Sequence, residues 1–321
     1  IKKEMNLLNS LIMTKLFYFL SVLLICSCSK TITIKNIQQE KTSYENVAVT
    51  VNGVVSGVYQ NKGELAGFFM QYDALFSTNG IFVHTKKKVN LGDEISIMAT
   101  VVEYKNETRL DSVKSIEILS VGNSYKTQKL KFPYTLSDIE NLEGCLIRID
   151  NELQISDSYS FEKYGQILVS SKPLIQATEI YDAQNEAAEI SEHNLNQAQN
   201  SIVLDDLSNK RFPLTDGLYL DKDGVVLGAN ISGVTGYVRQ RNNNYSIRLV
   251  NDLELDLPEL NLNTEVDGQL KIMSFNLHNL FNGNGIGGKF PTSRGAKTYE
   301  AYQKQLSKLA SAISFANADV I

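Results

Sequence analysis

Residues 47–59 read VAVTVNGVVSGVY. Small and β-branched residues alternate, and Gly53 and Gly57 interrupt the run. Alternation with period two is the mark of a half-buried strand, and glycine inside such a run marks a bulge or a bend. Working outward, LAGFFMQ (65–71), GIFVHT (80–85) and DEISIMATVVEY (93–104) repeat the texture between Gly, Asn and Lys turns. Short strands at this density predict a small barrel or sandwich, so 45–121 is expected to be one β domain.

The texture returns in GCLIRID (144–150), GQILVSS (165–171), SIVLDD (201–206), GANISGVTGYV (228–238) and YSIRLV (245–250). A second β domain over 133–256 follows. Within it, 183–200 (AQNEAAEISEHNLNQAQN) is polar and reads either as a short helix or as a long loop. No fixed-period repeat is present, which excludes a solenoid. Residues 257–268 form a polar linker, and the pattern then changes. LKIMSFN (270–276) predicts a strand, Gly283 to Gly295 a glycine-rich loop, and TYEAYQKQLSKLASAISF (298–315) a helix. Tyr302, Leu306, Leu309 and Ile313 fall on one face of that helix. ADVI (318–321) predicts a second strand. Strand–loop–helix–strand opens an α/β domain, and about fifty residues are too few to finish one, so the sequence is expected to be truncated.

Of the 321 residues, 43% are hydrophobic and 21% charged, which excludes a disordered chain. The net charge of −5 excludes a uniformly basic nucleic-acid binder. Charge is uneven, however. Residues 269–321 hold six Lys or Arg and two acids, a net of +4, which leaves −9 for the rest. The tail is therefore the part better suited to a polyanion. Residues 1–28 read as a secretory signal, with a Lys followed by the apolar run Leu16–Ile25. Ile25-Cys26-Ser27-Cys28 has the form of a lipobox, which makes Cys28 the candidate lipid-attachment residue and an outer-membrane or cell-surface lipoprotein the expected destination. An ordinary secretion signal or an uncleaved anchor are the alternatives. Residues 29–44 then read as a polar linker. Cys145 is the one cysteine outside the signal, so an internal disulfide is excluded and a buried structural thiol is expected.

Gly283 to Lys289 has the spacing of a phosphate-cradling loop, G-x-x-x-x-G-K. That chemistry needs a Ser or Thr hydroxyl after the lysine and a helix opening at once. Phe290 and Pro291 follow instead, so the glycines are assigned to a surface loop. Asn276 ends the predicted strand, at the sheet rim where an α/β site forms, and its amide can orient a phosphate oxygen or a metal-bound water. Asp205-Asp206 and Asp221-x-Asp223-Gly224 read as short acidic turns; the second lacks the distal Glu of a calcium loop. His84 and His193 have no partners near in sequence and are expected to be structural or exposed. Phe68, Phe69, Tyr72 and Phe76 are assigned mostly to core packing rather than to base stacking.

KIMSFNLHNLFN (271–282) with RGAKTYEAYQKQLSKLASAISFANADVI (294–321) resembles the opening of the endonuclease/exonuclease/phosphatase superfamily, the deoxyribonuclease I-like fold, and in particular its secreted bacterial nuclease branch. Ser274–Phe281 matches that branch's first strand and Arg294-Gly295-Ala296 its first loop. The β segments of 47–104 resemble the OB-fold domain that precedes the nuclease there, and NLEGCLIRI (141–149) and YGQILVSS (164–171) resemble the segment after it. The resemblance implies a multidomain, mainly β chain of OB-fold-like barrels, followed in 269–321 by the start of a four-layer α/β nuclease domain. It further implies hydrolysis of DNA, and of RNA as an alternative, with Mg²⁺ or another divalent cation such as Ca²⁺ or Mn²⁺, the metal polarising the phosphate and a His–carboxylate pair activating water. Asn276 matches the family's first-strand Asn, which helps hold metal and phosphate. The other ligands and the base are expected after Ile321, so the chain by itself is expected to be inactive. His278 stands where the family often carries an apolar residue; Asn279 matches the family pattern, with shaping of the turn as the alternative role. Lys289, Arg294 and Lys297 are candidates for nucleic-acid backbone contacts or, equally, for a solvated loop, with Arg294 favoured by its match. No protein partner is inferred. A lipid-anchored OB-type binding module without catalysis is the alternative function.

Overall fold

Two compact units, 1–258 and 259–321, make up the chain in its computed structural model, which describes residues 31–74, 77–206, 208, 220, 225–258 and 266–321. The first unit begins with β1 (Thr31–Ile32), α1 (Ile34–Gln39) and α2 (Lys41–Tyr44), followed by β2 (Ala48–Tyr59), β3 (Gly67–Ala74), β4 (Ser77–His84), β5 (Glu94–Tyr104) and β6 (Glu107–Ser120). Strands β2 to β6 close into a five-stranded barrel in the order β2-β3-β4-β6-β5, with β5 returning to β2. Closure depends on the length of β2. Its first half pairs with β5, from Ala48–Thr100 to Val54–Glu94, and its second half pairs with β3 across a register shift between Val55 and Gly57. Only β4 and β6 run parallel within the ring. This is an OB-like order. Alternation sends Val49, Val51, Val55, Phe68, Met70, Ile95 and Ile97 inward.

Residues 31–44 are not a linker. Thr33 caps α1 by accepting the Asn36 N–H at 3.1 Å, and Ile34 and Ile37, three residues apart on one helix face, are fully buried in the barrel core. Each contributes on the order of 1.5–3 kcal/mol by leaving water. The helix is short and its visible face polar, which hides this role in a composition scan.

The second part of the first unit comprises β7 (Gln128–Leu130), α3 (Leu136–Glu140), β8 (Leu146–Ile149), β9 (Leu153–Asp157), α4 (Phe161–Tyr164), β10 (Gln166–Ser170), α5 (Ala187–Gln199), β11 (Ser201–Asp205), β12 (Asn230–Ser232), β13 (Thr235–Arg241), β14 (Asn244–Leu249) and β15 (Glu254–Asp256). It starts at Gln128, ahead of the expected 133, because β7 pairs in parallel with β8. The sheet order is β15-β12-β9-β10-β11-β14-β13-β8-β7. Strands β8 and β9 are consecutive, with only residues 150–152 between them, yet they lie on opposite arms of this order. The sheet therefore curls until its arms meet on one bent stretch of chain. Taking β8 and β9 as one broken strand gives the first barrel's order again, including its parallel pair, here β11 with β14. The polar stretch 183–200 contains the helix α5, which buries no residue. Cys145 is fully buried, as expected.

A third apolar cluster joins the two β bodies: Leu65, Phe69, Phe82, Leu146 and Tyr237, with Tyr59 and Tyr125 against it. Phe69 points out of its barrel, since Phe68 and Met70 point in, and it stacks on Tyr237 with ring centroids 3.9 Å apart at 6°. The Tyr237 hydroxyl donates to the Ser56 carbonyl. Gln71, also outward, donates to the Lys126 carbonyl at 2.9 Å and accepts the Leu146 N–H at 2.8 Å. A Cβ on Gly57 would lie 2.5 Å from the Tyr237 oxygen, and one on Gly80 2.2 Å from the Gly144 backbone, so these glycines are what lets the barrels touch.

In the second unit, α6 (Tyr299–Ala316) is capped by Thr298, which accepts the Ala301 N–H at 3.1 Å. Ile272 and Val320 form a parallel bridge, with the Met273 N–H donating to the Val320 carbonyl at 2.8 Å. The expected strand over 270–276 is thus reduced to one bridge, and among the described residues no further strand pairs beside it. Tyr302, Leu309 and Ile313 are half-buried, whereas Leu306 is exposed.

Tyr237→Phe removes one buried hydrogen bond and is expected to cost about 1 kcal/mol. Tyr237→Ala also empties the seam and is expected to cost about 3–5 kcal/mol. Urea unfolding of the chain measures both, and a loss under about 1 kcal/mol for the alanine variant would contradict this role of the seam.

Candidate functional site

Beside the Phe69–Tyr237 stack lies a cavity of about 800 Å³ walled by both β bodies. Two hairpin tips rim it. Lys105-Asn106 joins β5 to β6 and Asn242-Asn243 joins β13 to β14, all four residues at positive φ, the conformation that right-twisted two-residue hairpins require. The tips meet: the Asn242 N–H donates to the Lys105 carbonyl at 2.7 Å. The strands that leave these tips carry the polar side chains of the cavity wall, including Tyr104, Glu107 and Arg109 from one body and Arg239, Arg241, Tyr245 and Arg248 from the other.

Four arginines line the cavity, and three of them meet a carboxylate: Arg239 meets Glu107, Arg248 meets Asp205 and Arg109 meets Asp111. Glu107, 3% exposed, accepts both Nε and Nη2 of Arg239, a bidentate pair across the seam. The Arg239 guanidinium also lies over the Phe82 ring, 4.1 Å from its centroid. Arg109 lies 3.9 Å over Tyr104 and donates to Asp111 at 2.8 Å. Arg248, 8% exposed, sits 2.8 Å from Asp205 Oδ1 and donates to the Asp206 carbonyl. Burial pushes the Asp205 carboxyl up and the Arg248 guanidinium down from their ordinary ranges, each opposed by the other's charge. The Nε of Arg109 and that of Arg248 are buried without a hydrogen-bond partner among the described residues. Donors of this strength left unpaired are costly.

A second ionic cluster sits across the seam. Glu143, 2% exposed, accepts the Thr108 N–H at 2.7 Å and lies 3.0 Å from Lys41 Nζ, which also pairs with Glu140. Burial pushes the Glu143 carboxyl up to about 8 against the pull of Lys41. It ties α2 and β6 to the loop before β8 and is a structural brace.

The residues that sequence reasoning selected lie elsewhere, on the second unit. Asn276 is exposed, and its Oδ1 accepts the His278 N–H at 2.9 Å. His278 and Asn279 take φ of 47° and 59° and form the turn, which Gln305 of α6 holds by donating to the carbonyls of Leu277 and His278. The glycine-rich loop is organised by Asn284, whose Oδ1 accepts the Ile286 and Gly288 N–H groups at 3.1 and 2.8 Å. Those donors are consumed within the loop and do not face a phosphate. Arg294 lies in a turn closed by Thr292, which accepts the Gly295 N–H at 3.1 Å, and Lys289, Arg294 and Lys297 are all exposed. Among the described residues no three His, Cys, Asp or Glu side chains converge. One amide oxygen already used by its own turn does not constitute a divalent-cation site, so no chemical step through a metal is derived from these residues. Cys28, Phe76 and the Asp221–Asp223 turn fall outside the described residues.

One expectation needs correction. Asp205-Asp206 is not a short acidic turn: Asp205 ends β11, each residue is 2% exposed, and Asp205 pairs with Arg248. His84 has no partner near in sequence but a structural one distant from it, Asp111 Oδ1 at 3.3 Å, and it lines the cavity. Phe69 is buried in a packed core, the one between the barrels. The cavity arginines escaped the sequence reading. Their signal was a charge inside each apolar strand, in ETRL (107–110), GYVRQR (236–241) and SIRLV (246–250), where a solvated face offers no explanation for Arg248.

No protein-family model matches the chain, and no curated protein matches it. Among solved structures it is similar to a murine DNA binding protein bound with ds DNA (9% identity, 65% of this chain and 97% of that one, TM-score 0.30). It is similar also to the Ifi202 HINa domain in complex with 20bp dsDNA (11% identity, 64% and 94%, TM-score 0.25). A third is the aspartyl tRNA synthetase from Entamoeba histolytica (16% identity, 36% and 25%, TM-score 0.23). The chain spans about a quarter of the length of the aspartyl-tRNA synthetases it matches.

The raised Glu143 carboxyl gives a pH dependence. The native state keeps a proton that the unfolded chain releases near 4.5, so stability is full below that and falls as pH rises through about 8. Glu143→Gln removes the titration and keeps an acceptor for Thr108. The urea midpoint of wild type minus that of the variant is expected to decline from about pH 5 to about pH 8.5; a constant difference would show that Glu143 is ionised throughout.

Proposed function

We propose that the chain is the substrate-binding and opening portion of an exported, metal-dependent phosphodiesterase acting on DNA or RNA. The parallel closure of Ile272 on Val320 around α6, with Asn276 in the loop just beyond the bridge, carries this reading. It is the arrangement that the resemblance to the endonuclease/exonuclease/phosphatase superfamily calls for, and the exposed Lys289, Arg294 and Lys297 share the segment between the bridge and α6. In this reading Asn276 orients a phosphate oxygen, the three cations hold the backbone, and ligands for Mg²⁺ or a like cation come from residues after Ile321. The OB-like barrels hold the strand. The signal and Cys28 deliver the protein to the cell surface; among the described residues no helix is long and apolar enough to cross a membrane.

Binding without catalysis is the second reading, favoured by the engagement of the Asn276 amide in its own turn and by the arginine-lined cavity in the barrels. The full-length gene product with plasmid DNA and Mg²⁺ separates the two. Chelator-sensitive nicking is expected, with Asn276→Ala reducing it roughly 10²-fold. An intact plasmid and intact RNA under every divalent ion tried would leave the binding module. The 321-residue chain itself is expected to show no hydrolysis.

A further inference from the structure

The cavity between the barrels has features that bracing the fold does not require. Bracing is achieved by the Phe69–Tyr237 stack and by the Arg239–Glu107 pair. Arg248 and Arg109 nevertheless line the cavity, and each holds a buried Nε without a hydrogen-bond partner among the described residues. Asp205 Oδ1 and Asp206 Oδ2 are likewise without one beside Arg248, which is only 8% exposed. Arg241 stands exposed at the rim, without an ion-pair partner among the described residues, on the β13–β14 hairpin, whose tip is Asn242-Asn243. Tyr104 and Tyr245 supply aromatic walls. Arg241 at the rim, guanidinium Nε groups without partners and aromatic walls together select a ligand with an anionic end and a flat ring. The volume, about 800 Å³, lies in the range of about 300–1,000 Å³ typical of small-molecule sites and is far too small for a duplex.

We propose that this cavity binds the phosphate-and-ring unit of one nucleotide, either free or as the phosphorylated end of a strand. The phosphate meets Arg248 and Arg109, and the base lies against Tyr245 and Tyr104. This site belongs to the barrels alone and does not depend on the catalytic reading of the second unit.

Calorimetric titration of the chain in EDTA, so that no hydrolysis intervenes, tests it. The probes are thymidine 5′-monophosphate, thymidine, inorganic phosphate, and a short oligothymidylate with and without a 5′-phosphate. The monophosphate or the 5′-phosphorylated strand is expected to bind at least about tenfold more tightly than thymidine, phosphate or the unphosphorylated strand. A phosphorylated strand that outbinds the monophosphate tenfold assigns the site to strand ends, and equal binding assigns it to free nucleotides. Arg248→Gln is expected to weaken binding at least tenfold. Should that variant fail to fold, Arg241→Glu, at the exposed rim, is expected to do the same with unchanged circular dichroism. Absence of binding at millimolar concentration, binding indifferent to the 5′-phosphate, or binding unchanged in the folded variants would overturn the proposal.

Discussion

The contact between Phe69 and Tyr237 is the constraint on which the first unit depends. A barrel strand normally presents its outer face to water, and an OB-like barrel of this size can stand alone. Here β3 has apolar residues on both faces, so its outer face must be covered. Tyr237 covers it, reaching across to the Ser56 carbonyl at a point where Gly57 leaves room for the ring and Gly80 lets the chain at Gly144 come close. The two barrels are thereby held at one spacing. Side chains that would each be surface charges on a lone barrel, Glu107 and Arg239 among them, pair across the seam, with Glu107 buried and Arg239 half-buried. A pair of this kind is weak evidence for stability, since desolvation offsets its attraction, but it fixes geometry at the seam.

Much of this was legible in the chain. Alternation in 47–59 and 93–104 located β2 and β5, and the similar texture after 144 pointed to a second β body of the same type, which the shared strand order supports. Buried Cys145 was legible for the same reason, an apolar neighbourhood of short range. What escaped involves separation in sequence. Arg248 meets Asp205 across 43 positions and Arg239 meets Glu107 across 132, and neither spacing leaves a local mark. Residues 31–44 escaped for another reason: two isoleucines on one turn of a six-residue helix make too short a period to outweigh the polar residues around them.

The two units present different chemistries. On the second, Asn276, Lys289, Arg294 and Lys297 are exposed on loops shaped by Asn276, Asn284 and Thr292 through backbone N–H groups. Such loops are defined by local hydrogen bonds, and the candidate residues on them carry the resemblance to a nuclease family, a signal confined to one short segment of sequence. On the first unit, the arginine-lined cavity exists only because two barrels meet, and its residues come from seven strands of two separate β bodies. A function that requires the seam is invisible to any motif.

Native-state hydrogen exchange tests most directly whether the barrels form one body. If the seam unites them, slow amides of β2, such as Val51, and of β14, such as Ile247, exchange with one shared opening free energy, and both fall together in Tyr237→Ala. Two distinct opening free energies, with the variant lowering only the β14 side, would mean that the barrels open independently and that the cavity between them is incidental.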